Sequence, residues 1–410
     1  MKRGIGALLG FALLFTGLAV ATPAAAQTAT TGVISGRVVD ASGTPRGAVE
    51  ITVRNEATGV VRSTLTNSDG RYLVPGLQVG GPYTVTAEGL GLEALSRSGL
   101  QLALGQNLVV DFEMTDQAIE LEGFTIEGER SRDQIINPGR TGAEQLVTER
   151  QIENMPTISR NFTDFIRLSP VVGGGGGATS IGQQNNRFNN IQIDGAITQD
   201  VFGLGSTGQP GGQAGARSIA LDAVEQYQIL AAPFDVRQSG FTGGLVNAVT
   251  KAGTNEFQGS AYLYYRDLNF VRENLVVDQD TFPFDEFDNQ IFGFSVGGPI
   301  IRDKLHFFTA VEIEQDQRPA GGVVIGQNTD AQTRVSQADA DRFRQALSDL
   351  GVNPGSYGAF TVENPNRNVF ARVDYNINNN HRLMLRHNWV RAEDDVVVNR
   401  GGGSSYSLDS

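Results

Sequence analysis

Between Phe257 and Arg266 the chain changes character residue by residue. Phe257, Gly259, Ala261, Leu263 and Tyr265 give one apolar face, while Gln258, Ser260, Tyr262, Tyr264 and Arg266 give a wetter one. A period of two marks a strand whose faces meet different surroundings. The alternation returns over residues 290–296, 305–313, 368–376 and 382–390. In four of these five strands the odd positions are mostly apolar (Leu305, Phe307, Val311, Ile313; Val369, Val373, Tyr375; Leu383, Leu385, Trp389), whereas the second turns Phe292, Phe294 and Val296 to that side. The connections alternate as well: residues 267–289 long, 297–304 short, 314–367 long, 377–381 short. Long loops on one side and tight turns on the other are the pattern of an antiparallel transmembrane β-barrel. A soluble sandwich has no reason to alternate loop length in this way.

Upstream the pattern differs. Short β-rich runs at residues 33–39, 49–53, 72–74, 83–87 and 108–112 are separated by turns, including Ala41-Ser42-Gly43 and residues 66–70, where Asp69-Gly70 favours positive φ. This spacing predicts a β-sandwich over residues 32–113. Residues 140–250 mix both periods. Thr148 caps a predicted helix through Glu153 that Pro156 ends, and residues 161–168 form a second before Pro170. Five glycines at 173–177 make a joint. Residues 187–197 read as a strand with Ile191 and Ile193 on one side and a turn at Asp194-Gly195, and residues 218–230 as a short helix passing into a strand. Residues 243–250 read as a small-residue hairpin edge leading into a β-branched run.

Composition narrows the function. The 410 residues hold two or three domains, and 51 Gly with 40% hydrophobic residues suit turn-rich β structure. A net charge of -13 leaves no basic stripe for nucleic acid. The absence of Cys removes disulfides, thiolate metal sites and thiol nucleophiles. Lys2 and Arg3 precede an apolar run at residues 5–20 and the small residues Ala24-Ala25-Ala26, which predicts an export signal cleaved before Gln27. No G-x-S-x-G elbow, P-loop or H-E-x-x-H occurs, so neither an enzyme nor a cofactor is expected. Asp278, Asp280, Asp285, Glu286 and Asp288 lack the glycine punctuation of a calcium loop and read as a solvated acidic loop. His381 and His387 lie about 20 Å apart along a strand, too far to share a metal. Phe343, Leu347 and Leu350 recur at helical spacing within residues 337–350.

Gly243-Gly244, Val246-Asn247, Val249-Thr250-Lys251, Gly253-Thr254-Asn255 and Phe257, with Gly259 two residues on, resemble the plug–barrel junction of TonB-dependent outer-membrane receptors. The likeness is greatest to the Oar-like group, which carries a carboxypeptidase-regulatory-like domain before the plug. GRVVDASGTPRGAVEITV, NSDGRYLVPGL and GPYTVTAEG resemble that domain, a transthyretin-like sandwich. No peptidase is implied, because residues 27–115 contain no His for a zinc site. The resemblance implies a mainly β chain: signal peptide 1–26, transthyretin-like β-sandwich 27–115, linker 116–132, α+β plug domain 133–250, and the first strands of the antiparallel transmembrane β-barrel over 251–410. Plugged outer-membrane transporters have about 22 strands, so a sequence with five is expected to be either the N-terminal part of a longer product or a truncated reading frame.

The implied function is import. Extracellular loops capture an unidentified ligand, the plug blocks the lumen, and TonB with ExbB and ExbD pulls it open within outer-membrane lipid. Residues 119–132, IELEGFTIEGERSR, form an acidic, glycine-punctuated peptide with a short apolar stripe, fit to add as a strand to a partner's sheet edge. By position this segment resembles the TonB box, with Leu121, Gly123, Phe124, Thr125, Ile126 and Glu127 binding the coupler; the alternative is a last sandwich strand plus linker. Arg187, Asp194, Arg217, Glu225 and Arg237 are plug charges that either pair with lumen charges or lie on a solvated surface. The competing function is a surface adhesin or secretion-related barrel without energised transport.

Overall fold

Alternate inward residues build the N-terminal region. Its strands are β1 (Thr31–Asp40), β2 (Glu50–Asn55), β3 (Val61–Leu65), β4 (Arg71–Gln78), β5 (Gly80–Glu88), β6 (Leu95–Leu102), β7 (Asn107–Val109), β8 (Phe112–Met114) and β9 (Thr125–Glu127). One sheet has the order β4-β1-β7, with β8 also on β1; the other has the order β3-β2-β5-β6-β9. Ile34 and Val38 from the first sheet and Ile51, Val53 and Val85 from the second close over one core, which Phe112 and Met114 complete. Tyr72 is buried there and donates its hydroxyl to the Val110 carbonyl at 2.5 Å, so its polar end costs nothing. Strands β3 and β6 carry no clear period-2 signal in the sequence. Their polar residues are held by pairing to β2 and β5.

The structure, a computed structural model, describes residues 30–115, 125–127, 144–157, 159–173, 179–200, 202, 205, 207–231, 241–270, 274–277, 280–283, 287–319, 325, 335–354, 361–379 and 381–395. The export signal, Leu121, Gly123, Phe124, Arg237, most of the glycine joint and most of the acidic loop lie outside these residues. The chain forms two units, Met1–Leu146 with Ala232–Ser239, and Val147–Ala231 with Gly240–Ser410.

A mixed sheet follows, whose residues from Val147 on lie in the second unit. Its elements are β10 (Glu144–Thr148), α1 (Glu149–Asn154), α2 (Phe162–Ile166), β11 (Val172–Gly173), β12 (Ser180–Ile181), β13 (Asn190–Ile193), β14 (Ala196–Ile197), β15 (Val224–Leu230) and β16 (Leu245–Thr250). Thr148 starts α1 as expected: its backbone N–H donates to the Gln151 side chain at 2.9 Å. Asn161 caps α2 by accepting from the Thr163 N–H, and the helix ends at Ile166, two residues short of the expected end. Residues 221–223 make one 3₁₀ turn before β15.

The sheet order is β10-β15-β16-β13-β14, with β16 parallel to β13 and antiparallel to β15. Residues 243–250 therefore do not form a hairpin edge. Strand β16 is central and all six of its residues are buried, which is why it reads as a continuous apolar and small-residue run. Likewise Asn190 and Gln192 are buried along with Ile191 and Ile193, so β13 has no solvent face. The Asp194-Gly195 turn joins β13 to β14 with both residues at positive φ, as a tight hairpin requires.

The remaining strands are β17 (Gln258–Asp267), β18 (Asn274–Val277), β19 (Asp280–Pro283), β20 (Asp288–Ile301), β21 (Leu305–Pro319), β22 (Thr361–Glu363), β23 (Asn366–Asn378) and β24 (His381–Ala392), with helix α3 (Gln337–Asp349) before β22. Strands β17-β20-β21-β23-β24 form an antiparallel sheet in chain order, consistent with part of a barrel, and β22 pairs with β21. All five expected strands are present; the first has its expected length, shifted by one residue, and the other four are longer than expected. Phe257, Leu263, Phe292, Leu385 and Trp389 are exposed on one face, while Phe308, Ala310, Glu312, Asn368, Phe370 and Arg372 are buried on the other. The β18–β19 hairpin lies in the first long connection, where the sequence shows only a loop.

Candidate functional site

The inner face of the strand sheet seats the mixed sheet. Phe308, Ala310 and Phe370 join Phe162, Phe165, Ile166, Tyr227 and Ile229 in one apolar cluster. Around it the contacts become ionic. Arg217 in the loop before β15 reaches Glu312 at 3.1 Å and Glu314 at 2.6 Å, both on β21. Arg160, between α1 and α2, reaches Glu312 at 3.0 Å and Asp222 at 2.8 Å. Tyr262 donates its hydroxyl to Glu312 at 2.7 Å, and Asn289 donates to Glu314 at 3.1 Å. The two carboxylates therefore hold two guanidinium groups in a nearly dry interface.

Arg160 sits at φ 47°, an unusual conformation for a residue with a side chain, and its guanidinium lies 4.2 Å from the Tyr262 ring centre and 5.1 Å from that of Tyr264. Burial opposes its charge, but Glu312, Tyr262 and Asp222 outweigh burial and hold it more firmly protonated than a free arginine. Removing either partner of such a pair strands the other charge in the interior, whereas the intact pair roughly offsets its own desolvation. The network thus specifies one seating of the mixed sheet more than it adds stability.

A second cluster fixes the end of the mixed sheet. Arg372 on β23 grips Asp374 through two nitrogens at 2.7 and 3.1 Å and donates to the Thr250 carbonyl at 2.6 Å and hydroxyl at 2.8 Å. Thr250 in turn donates its N–H and hydroxyl to Asp194 at 2.9 and 2.8 Å. Asp194 pairs with Arg386 on β24 at 3.3 Å, and Arg386 also donates to the Ile193 carbonyl. Further along, Asn255 accepts from the Asp303 N–H and donates to the Asp303 carboxylate, both at 2.8 Å, pinning the short turn after β20. Gly253 lies so close to the Phe307 carbonyl that a β-carbon has no room. The Gly253-Thr254-Asn255 motif is thereby explained as a close crossing of the connector under β21.

Of the five plug charges singled out in the sequence, Asp194 and Arg217 pair with the strand wall. Arg187 instead bonds locally to Asn185 and stacks on Phe188. Glu225 on β15 faces Glu149, Lys251, Arg372 and Glu153; burial first, and then Glu149, push its carboxyl up to about 7. Lys251 ion-pairs with Glu149 at 2.6 Å. Arg160 and Arg372 are not legible as site residues: Arg160 lies between two short helices with no periodic signal, and Arg372 is one polar position of an alternating strand, with nothing to mark its partner. Among the described residues no set of three His, Asp or Glu gathers as for a metal ion.

Of the six coupler-binding candidates, Thr125, Ile126 and Glu127 are described. They form β9, which pairs in parallel with β6: Ser96 with Thr125, Arg97 with Ile126, Ser98 with Glu127.

Residues 33–115 match the carboxypeptidase regulatory-like domain family, and residues 249–405 match an outer membrane beta barrel domain family. The TonB-dependent transporter Oar of Myxococcus xanthus is 28% identical over 312 residues, covering 71% of this chain and 27% of that protein. The probable TonB-dependent siderophore receptor PirA of Acinetobacter baumannii is 26% identical over 175 residues, covering 40% of this chain and 21% of that protein. The matched portion thus spans 27% and 21% of the length of these relatives. Among solved structures, the siderophore receptor PirA from Acinetobacter baumannii aligns with a TM-score of 0.41 at 17% identity over 61% of this chain and 32% of that one. The outer membrane transporter YddB from Escherichia coli aligns with a TM-score of 0.44 at 13% identity over 62% of this chain and 33% of that one.

Proposed function

We propose that this chain, whose residues 33–115 and 249–405 match a regulatory-like and an outer membrane beta barrel domain family and which is similar to two TonB-dependent proteins, acts in energy-coupled ligand import. Proteins of this family are transporters rather than enzymes, and their barrel lies in the outer membrane with the regulatory-like domain in the periplasm. Residues 133–250, which include the mixed sheet from Glu144 on, are the plug, seated against the inner face of barrel strands; the domain over 27–115, which includes the sandwich, has the transthyretin-like arrangement. Loops on the side of α3 and the β18–β19 hairpin face outward and capture the ligand. Residues 121–127 bind TonB, which with ExbB and ExbD transmits force to the plug.

The observation that carries this reading is the ionic seating of the mixed sheet. Arg160 and Arg217 meet Glu312 and Glu314 on a strand whose other face is apolar. A wall that is apolar outside and, around a small apolar patch, ionic inside suits a lumen filled by a separate, removable domain. Apolar packing alone would resist removal by water-filled paths, while ion pairs can be exchanged for water once the plug moves. An adhesin needs neither a plug nor a coupler. Import in cells with and without TonB tests the reading: accumulation of the ligand should require TonB, while surface binding should not. Equal accumulation in both strains would favour the adhesin.

A further inference from the structure

Strand β9 is the outermost strand of the sheet β3-β2-β5-β6-β9. Its three residues pair with β6 in parallel register, Ser96 with Thr125, Arg97 with Ile126 and Ser98 with Glu127. In a strand, successive residues direct their N–H and C=O groups to opposite sides, so pairing on one side leaves the other row unsatisfied. Among the described residues no strand covers that outer row. The straight part of β6 is also bounded. Gly99 has φ 74°, and the β5–β6 register shifts between Arg97 and Leu100, so the edge that receives β9 is limited to residues 96–98.

We propose that the N-terminal domain presents the coupling segment: β6 holds residues 125–127 extended, and their outer edge accepts a strand from the energy coupler. The inference rests on reading residues 119–132 as the coupling segment. A free peptide must lose its conformational freedom when it adds to a partner's sheet. A peptide already ordered as an edge strand has met that cost within the chain, so the partner meets a preformed template. Because the pairing spans three residues and is parallel, the less stable ladder, it can also be released when force is applied. Strand addition then extends this sheet across two proteins without displacing β9. The opposite arrangement, in which β6 hides the segment, requires the coupler to compete for the edge that β6 occupies.

A disulfide distinguishes them. The chain has no cysteine, and Arg97 and Ile126 are direct partners. Neighbouring strands lie about 4.8 Å apart, which is within the Cα separation a disulfide spans. The double variant Arg97→Cys/Ile126→Cys, in the full-length protein extracted in detergent, is titrated with the purified periplasmic domain of TonB before and after oxidation. Presentation predicts that the oxidised form binds at least as tightly as the reduced form, because the pairing that the disulfide locks is the one the coupler already meets. Loss of binding on oxidation, restored by reductant, overturns it in favour of masking. Thiols that stay free under oxidant also overturn it, because the pairing would not be populated. If the reduced double variant, the Ile126→Cys single variant and the unaltered protein all fail to bind, the coupling reading itself falls and this proposal with it.

Discussion

Arg372 donates to both the carbonyl and the hydroxyl oxygen of Thr250, at 2.6 and 2.8 Å, and so fastens the last residue of the mixed sheet to a strand of the wall. The same arginine is held by Asp374, which Arg382 grips at 2.5 Å. A planar, four-point contact of this kind is beyond lysine, which has one nitrogen. Arg372→Lys is expected to loosen the end of the plug while leaving the barrel folded. Cells carrying it should become more sensitive to large antibiotics that the outer membrane excludes, and unchanged sensitivity would show that the contact does not seal the lumen.

Glu312 is the point where Arg160, Arg217 and Tyr262 converge. Glu312→Gln leaves two buried guanidinium groups short of a counter-charge, a loss of about 3–5 kcal/mol for a broken buried pair. Adding Arg217→Met to it removes one of the stranded charges. The double variant should therefore melt higher than the sum of the single losses implies, by about 1 kcal/mol or more. Strict additivity in thermal unfolding would mean that the pair is not coupled.

The pH dependence follows from Glu225. Its carboxyl is pushed from 4.5 up to about 7 by burial and by Glu149. A group with a raised folded-state value favours the neutral form, so its contribution is intact below pH 4.5 and is lost as pH rises through about 7. Thermal stability of the plug is expected to fall over that window, and Glu225→Gln should flatten the fall and exceed the wild type at pH about 8. A variant with the same pH profile as wild type would rule out Glu225 as the titrating group.

At Gly253 any side chain meets the Phe307 carbonyl. Gly253→Ala is expected to displace the connector from under β21 and to lower the amount of folded, heat-modifiable barrel in the outer membrane. Wild-type levels would show that the connector has room to shift.

The strand wall was the most legible part of the chain because two solvents act on it. Lipid selects Leu263, Phe292, Leu385 and Trp389 at alternate positions, and that pressure survives without any partner strand in view. Strand β16 is legible as a β-branched run, but its central place is not, because a strand buried on both faces has no alternation to show and its neighbours β15 and β13 are fixed by distant residues. Strand β6, LSRSGLQL, was missed since its polar residues and Gly99 suggest a turn, and pairing with β5 overrides that preference. The candidate site was half legible. Asp194 and Arg217 are among the charges the sequence singles out, but which wall residues they meet depends on distant partners, Arg386 for Asp194 and Glu312, 95 positions away, for Arg217.

If force reaches the plug through residues 121–127, a proline in that segment should interrupt it. Strand addition relies on backbone N–H and C=O groups, so Phe124→Ala should weaken uptake only partly. Ile126→Pro removes one donor and restricts Thr125 before it, which breaks an added strand without touching the ligand-capturing loops. The measurement is ligand accumulation in cells producing the full-length Ile126→Pro protein, alongside surface binding and outer-membrane level. Binding and level should match wild type while energy-dependent accumulation is lost; accumulation at the wild-type rate would show that force does not pass through these residues.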